Sequence, residues 1–89
     1  MTLEKCRNEI DRIDEEIIGL IEARFRVSES IAKIKKEQGL PIENREREKE
    51  LLIGIKEMSS PDLTEYNMMV YDRILEASKK YQGQIVESL

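Results

Sequence analysis

Apolar residues recur at alternating spacings of three and four over the first 34 positions of the chain. This stripe, called the seam below, is interrupted only by Arg24. A heptad pattern held over more than four repeats predicts one long amphipathic helix whose apolar face packs against another helix. The seam consists of Leu3, Cys6, Ile10, Ile13, Ile17, Leu20, Val27, Ile31 and Ile34.

Helix-breaking residues cluster at two places, the Gly-Leu-Pro segment at 39–41 and the Ser-Ser-Pro segment at 59–61. Strong helix formers fill the intervals. The sequence therefore predicts an all-α fold with three helices of about 36, 14 and 25 residues. Asn44 is the expected N-cap of the second helix, and Ser60 followed by Pro61 is the expected cap and first turn of the third.

An apolar stripe also runs along the third predicted helix and should form its buried side. Ser78 and Gln82 lie one turn apart on the flank of this stripe, not on the far polar face. The stripe consists of Leu63, Tyr66, Val70, Ile74, Ala77, Tyr81 and Ile85.

The predicted length of the first helix implies a partner chain. A helix of 36 residues spans about 54 Å, whereas a compact chain of this size has a diameter of roughly 30 Å. Most of the seam would therefore extend beyond the chain's own body and expose apolar residues to water. A two-fold homodimer is the simplest arrangement that covers them.

The composition argues against several classes of function. The 89 residues predict one domain, 1–89, and 19 acidic against 15 basic residues give a net charge of -4, which argues against a nucleic-acid partner. No long apolar run or signal-peptide pattern is present, so we expect a cytoplasmic protein with no membrane contact. One Cys and no His predict neither a metal site nor a cofactor. Without His, any catalysed reaction should need little proton transfer.

Two cations occupy one face of the first predicted helix. Lys35 lies 11 positions after Arg24, which is about 20° away in azimuth and about 16 Å along the axis. Together they could bind one small anion. Alternatively, Arg24 could set the register of the seam, or pack its stem while its charged end reaches water.

Arg7 is a third candidate, but it precedes Arg24 by 17 positions, or about 25 Å of helix. Both cannot hold one metabolite from the same helix. If two long helices pair in antiparallel fashion, the partner's Arg7 can reach the site.

The chain resembles the all-helical class of chorismate mutases over nearly all of its length. The resemblance rests on the stretches CRNEIDRIDEEIIGLIEARFRVSESIAKIKKEQGLPI, REREKELL and ILEASKKYQ. It implies an intertwined homodimer of three-helix chains, with two sites that each draw on both chains. It also implies a dicarboxylate substrate, chorismate, and no cofactor or metal.

The resemblance implies a role for each matching residue. Lys35 and Gln82 would be catalytic, because they would contact the ether oxygen of the substrate. Asn44 stands where many members have Asp, but the family's contact there is made by the main chain, and Asn caps a helix about as well. The implied substrate-binding residues are Arg7, Arg24, Asn44, Arg47, Glu48 and Ser78, with Arg7 donated to the other subunit's site.

The implied reaction, in phenylalanine and tyrosine biosynthesis, is the unimolecular Claisen rearrangement of chorismate to prephenate. It needs no obligatory proton transfer, which suits a protein without His. Two alternatives remain. An isochorismate–pyruvate lyase shares the fold and several cations, although Glu48 and Ser78 together favour the mutase. A non-catalytic helical dimer would satisfy the seam but would not account for cations along it.

Overall fold

The chain forms three α-helices and no strands in a computed structural model that describes all residues, 1–89. Helix α1 runs Leu3–Gln38, α2 runs Arg45–Met58 and α3 runs Thr64–Ser88. Their lengths of 36, 14 and 25 residues confirm the all-α, three-helix prediction. None of the three is both long enough and apolar enough to traverse a lipid bilayer.

Individual residues determine where α1 ends and where α2 begins. Gly39 terminates α1 in the left-handed conformation with φ of 66°, a region that glycine adopts without steric cost. The Oδ1 atom of Asn44 accepts a hydrogen bond of 3.0 Å from the backbone N–H of Arg47. Asn44 is therefore the N-cap of α2, as predicted.

The predicted cap of α3 is wrong. Ser60 and Pro61 do not begin the helix, because the chain first makes a turn in which the N–H of Leu63 donates to the carbonyl of Ser60 at 2.9 Å. Leu63 is the N-cap residue, and its side chain makes no capping hydrogen bond. The turn moves the start of α3 to Thr64.

Helix α3 holds the fold together, since it contacts both α1 and α2 while these two helices do not contact each other. Small residues let α1 and α3 approach closely: Ala32 is fully buried, and the hydroxyls of Ser28 and Ser78 lie 3.0 Å apart. Phe25 and Tyr81 pack edge to face beside them, with ring centroids 5.4 Å apart. A groove is left between α1 and α2, with α3 as its floor.

Only the second half of α1 packs against the rest of the chain. Every residue from 1 to 20 is exposed, and so are the later seam residues Val27, Ile31 and Ile34. The radius of gyration is 16.1 Å and the longest dimension is 53 Å, whereas a compact chain of this length has a radius of about 12 Å. The chain therefore leaves the seam uncovered.

The predicted buried side of α3 is only partly correct. Leu63, Tyr66 and Val70 are exposed, because nothing in the chain covers the first half of α3 on that side, and Ala77 in the second half is exposed as well. The buried residues of α3 are instead Ser78 and Gln82, which were placed on the flank of the stripe. Polar side chains thus occupy the centre of the contact between α1 and α3.

The Ser28–Ser78 contact can be tested by mutation. Ser28→Ala should lower the free energy of unfolding by about 1 kcal/mol, because it removes a buried hydrogen bond and leaves Ser78 with one partner fewer. Urea denaturation at a fixed chain concentration measures the change. Ser30→Ala is the matched control, since Ser30 is an exposed position in the same helix and gains the same helix propensity. Equal effects of the two changes would contradict the role of Ser28.

Candidate active site

The groove between α1 and α2 is a cavity of about 530 Å³ lined by fifteen residues. This volume lies within the usual range for small-molecule sites, about 300–1,000 Å³. The first wall comes from α1, the opposite wall from Ile42 and the start of α2, and the floor from α3. Seven of the eight predicted site residues line it: Arg24, Lys35, Asn44, Arg47, Glu48, Ser78 and Gln82.

The eighth, Arg7, does not line this groove. It is exposed in the first half of α1, 17 positions before Arg24, and makes no ion pair within the chain. The rise of an α-helix puts about 25 Å between the two backbones, beyond the reach of their side chains. A single chain therefore brings together every predicted site residue except Arg7.

The groove is strongly cationic in an acidic chain. Its lining contains four basic residues, Arg24, Lys35, Arg47 and Lys79, and one acidic residue, Glu48, a balance of 4 − 1 = +3. The whole chain carries -4. Neither Arg24 nor Lys35 has a carboxylate partner within ion-pair distance. Half-buried cations without a counter-ion indicate a site for an anion with more than one negative charge.

Hydrogen bonds connect the polar residues on the α1 and α3 sides of the groove. Gln82 Nε2 donates to Ser78 Oγ at 3.1 Å, and Lys35 Nζ donates to Gln82 Oε1 at 3.4 Å and to the carbonyl of Ile42. These bonds orient the Gln82 amide, with its oxygen toward Lys35. One N–H of Gln82 and one of Lys35 remain after these bonds are counted. Two neighbouring donors are thus available to one acceptor in the groove.

Charged residues on the α2 side are paired. Arg47 donates to Glu50 at 2.9 Å, one turn further along α2. Glu48 lies 3.0 Å from Lys79 of α3, and Lys79 also approaches Glu43 at 3.5 Å. The hydrogen bond to Glu48, with the charges of both carboxylates, raises the pKa of the Lys79 ammonium. Lys79 therefore carries its full positive charge at neutral pH.

Sequence reasoning missed Lys79. In the sequence it is the first of two adjacent lysines at positions 79 and 80, and such pairs usually face water. The available signal was its position next to Ser78, about 100° away around the helix. Ser28 lies between Arg24 and Lys35 along α1 and lines the groove, but its contact with Ser78 depends on how the helices cross.

The groove contains no set of residues suited to a metal ion. No group of three or more His, Cys, Asp or Glu side chains is arranged to hold one anywhere in the chain. The chemistry available to this site is the positioning of anions and the donation of hydrogen bonds from Lys35, Gln82 and the arginines.

Comparisons with known proteins identify the family of the chain. Residues 6–83 match the family chorismate mutase type II. The chain is 31% identical over 87 residues to a chorismate mutase from Methanocaldococcus jannaschii, with 96% of this chain and 88% of the relative covered. A 49-residue stretch, 55% of the chain, is 47% identical to a bifunctional chorismate mutase/prephenate dehydratase from Aquifex aeolicus and spans 14% of that protein.

A solved structure supports the fold. A conserved hypothetical protein from Pyrococcus furiosus superposes with a TM-score of 0.74 at 41% sequence identity, covering 92% of this chain and 96% of the other. The family match extends over nearly all of the three helices and over all seven residues that the groove brings together. The chain belongs to the chorismate mutase type II family.

Proposed function

We propose that residues 1–89 form one chorismate mutase domain that rearranges chorismate to prephenate in phenylalanine and tyrosine biosynthesis. The observation that carries the proposal is the groove itself, where Arg24 and Lys35 have no carboxylate partner and where Lys35 and Gln82 each retain an unused N–H. Chorismate is a dicarboxylate, so it supplies the negative charge that these cations lack.

The first contribution to catalysis is restriction of the substrate's shape. Chorismate reacts only when it is folded so that its two bond-forming carbons approach each other. Arg24, Lys35 and the partner's Arg7 would hold both carboxylates in that compact form, which lowers the entropic part of the barrier. Arginine suits this task because its planar guanidinium binds a carboxylate through two parallel hydrogen bonds.

The second contribution is electrostatic. In the transition state the C–O bond breaks ahead of full C–C bonding, so negative charge develops on the ether oxygen. Lys35 and Gln82 each retain an N–H that can donate to that atom. Donors already held in place stabilise the transition state more than the ground state.

The remaining residues of the groove would bind the rest of the substrate. Glu48 would accept a hydrogen bond from the ring hydroxyl, and Ser78 would contact a carboxylate. Arg47 would support the carboxylate region after exchanging its surface partner Glu50 for substrate. Asn44 would contribute through its main chain, which its capping hydrogen bond holds in place.

The working enzyme is proposed to be an intertwined homodimer. One chain exposes 7392 Å², whereas a compact folded monomer of this mass exposes about 5,400 Å². The excess is roughly 2,000 Å² per chain, or roughly 4,000 Å² for two, which is the size of an obligate dimer interface. The exposed seam, with Leu20 at 72% and Val27 at 60% exposure, supplies the apolar surface that such an interface buries.

Antiparallel pairing of two α1 helices would also complete the site. It would bring the first half of one α1 beside the second half of the other, and thus the partner's Arg7 beside Arg24. The same helix would then cover apolar surface and donate a cation.

The lyase and the non-catalytic dimer are less well supported. A dimerisation module gives no reason for unpaired cations in a groove. Glu48 argues against the lyase, because such lyases tend to have an apolar residue at this position. Glu48 lines the groove, and only 23% of its side chain is exposed. Supplying isochorismate and testing for salicylate separates the lyase from the mutase.

Purified protein incubated with chorismate should form prephenate, identified by NMR. Arg24→Ala should lower kcat/KM by at least about a hundredfold, because it removes a charged contact made in the transition state. Arg26→Ala is the matched control, because Arg26 is exposed and makes only a surface ion pair of 3.8 Å with Glu29. The activity of this variant should match that of wild type. Chorismate left unchanged by wild type would refute the proposed function.

A mixing experiment tests which chain supplies Arg7. Arg7→Ala and Arg24→Ala homodimers should both be nearly inactive, since every site lacks one cation. A mixed dimer has one site with both arginines, so co-refolding equal amounts should restore about a quarter of wild-type activity. Failure to restore activity, when an affinity tag on one variant co-purifies the other and so shows that mixed dimers form, would mean that Arg7 does not cross between subunits.

The rate should depend little on pH between about pH 5 and pH 8, because the Gln82 amide donates a hydrogen bond without ionising. Gln82→Glu provides the comparison: a carboxyl at this position donates only when protonated, so its kcat/KM should rise toward acidic pH. Steady-state kinetics across this range measures both profiles. A steep fall toward neutral pH in wild type would count against the role of Gln82.

A further inference from the structure

We infer that Lys79 is a positioning residue for substrate binding, which neutralises and orients Glu48 in the groove. This inference rests on the proposed function, because the partner that Glu48 would bind is the ring hydroxyl of the substrate. Lys79 itself would act through Glu48 and need not touch the substrate.

The geometry separates this ion pair from the others in the chain. Lys79 Nζ lies 3.0 Å from Glu48 Oε1, and both residues line the groove. Only 36% of the Lys79 side chain and 23% of the Glu48 side chain are exposed, so the pair is partly removed from water. It connects the floor of the groove, on α3, with the wall formed by α2. Arg47, one residue before Glu48, pairs with Glu50 instead.

Charge gives the pair its function. Glu48 is the only acidic residue that lines a groove proposed to receive a dianion. Without a counter-ion its carboxylate would repel both carboxylates of the substrate, and it could rotate toward water. Lys79 cancels this charge and engages Oε1, which leaves Oε2 to accept the hydroxyl hydrogen. The pair thus permits a carboxylate in an anion-binding site.

Lys79 has a second partner that provides a control. Glu43 lies in the α1–α2 connection, its Oε1 is 3.5 Å from Lys79 Nζ, and its side chain is half exposed. Unlike Glu48, it does not line the groove. If Lys79 only held α3 against the start of α2, then loss of Glu43 should change the KM for chorismate as loss of Glu48 does.

The test is a double-mutant cycle in KM and kcat for chorismate, using wild type, Lys79→Met, Glu48→Gln and the double variant. Lys79→Met should raise KM about tenfold with little change in kcat, because the repulsion acts on the ground state and the transition state alike. In the Glu48→Gln background the same change should alter KM less than about twofold. Lys79→Arg should restore the wild-type KM, and Glu43→Gln should keep it.

A readout independent of turnover is the pKa of the Lys79 ammonium, followed by heteronuclear NMR. Glu48→Gln should lower this pKa more than Glu43→Gln does, because the hydrogen bond to Glu48 is the main reason that it is raised. An unchanged pKa in Glu48→Gln would overturn the inference even if that variant were too slow for kinetics.

Three kinetic results would also overturn it. An equal effect of Lys79→Met with and without the Glu48 carboxylate would make Lys79 a direct substrate ligand. If Glu43→Gln and Lys79→Met raised KM equally, Lys79 would be a structural clamp. If Lys79→Met left KM unchanged, Lys79 would have no role in substrate binding. If wild type does not convert chorismate, the proposed function and the role of Lys79 fail together, whereas these three results leave the proposed function standing.

Discussion

The architecture depends on one mismatch of length: α1 is 36 residues long, and the rest of the chain is large enough to cover only its second half. The covered half packs on α3 through Ser28 and Ala32, and it positions Arg24 and Lys35 over the groove. The uncovered half carries most of the seam and Arg7. The same mismatch therefore leaves an apolar surface uncovered and keeps Arg7 away from the other predicted site residues.

Polar side chains occupy positions that usually belong to an apolar core. Ser28, Ser78 and Gln82 are three of only five buried residues, and each makes a hydrogen bond within the chain. Buried polar groups of this kind stabilise a fold only when they are fully paired. Here every buried side-chain nitrogen and oxygen has at least one partner, and the N–H that Gln82 retains is directed to the proposed substrate. The interior of the chain thus serves as the support for the Gln82 amide.

The sequence predicted the features that depend on local helix propensity and on the helical repeat of side chains. The three helices, their lengths and the Asn44 cap follow from helix formers, breakers and capping residues. Arg24 and Lys35 were found because both are charged and share one helical face. The family resemblance supplied Asn44, Arg47, Glu48, Ser78 and Gln82 as site residues, and the structure brings them into one groove with the two cations.

What the sequence did not predict depends on how helices cross. Ser78 and Gln82 are buried instead of flanking the core, because α3 presents that side to α1. The start of α3 was misplaced since the turn at Ser60 is set by backbone hydrogen bonding and not by a side-chain cap. Lys79 looked like a solvated lysine because its carboxylate partners lie 31 and 36 positions away in sequence, at Glu48 and Glu43.

The small number of buried residues has a thermodynamic consequence. Five buried residues among 89 provide little interior to offset the conformational entropy lost on folding. If two chains associate as proposed, most of the apolar burial arises between chains, so folding and association become one equilibrium. The free energy of unfolding then belongs to the pair and increases with chain concentration. Dilution would act on such a protein as a denaturant does.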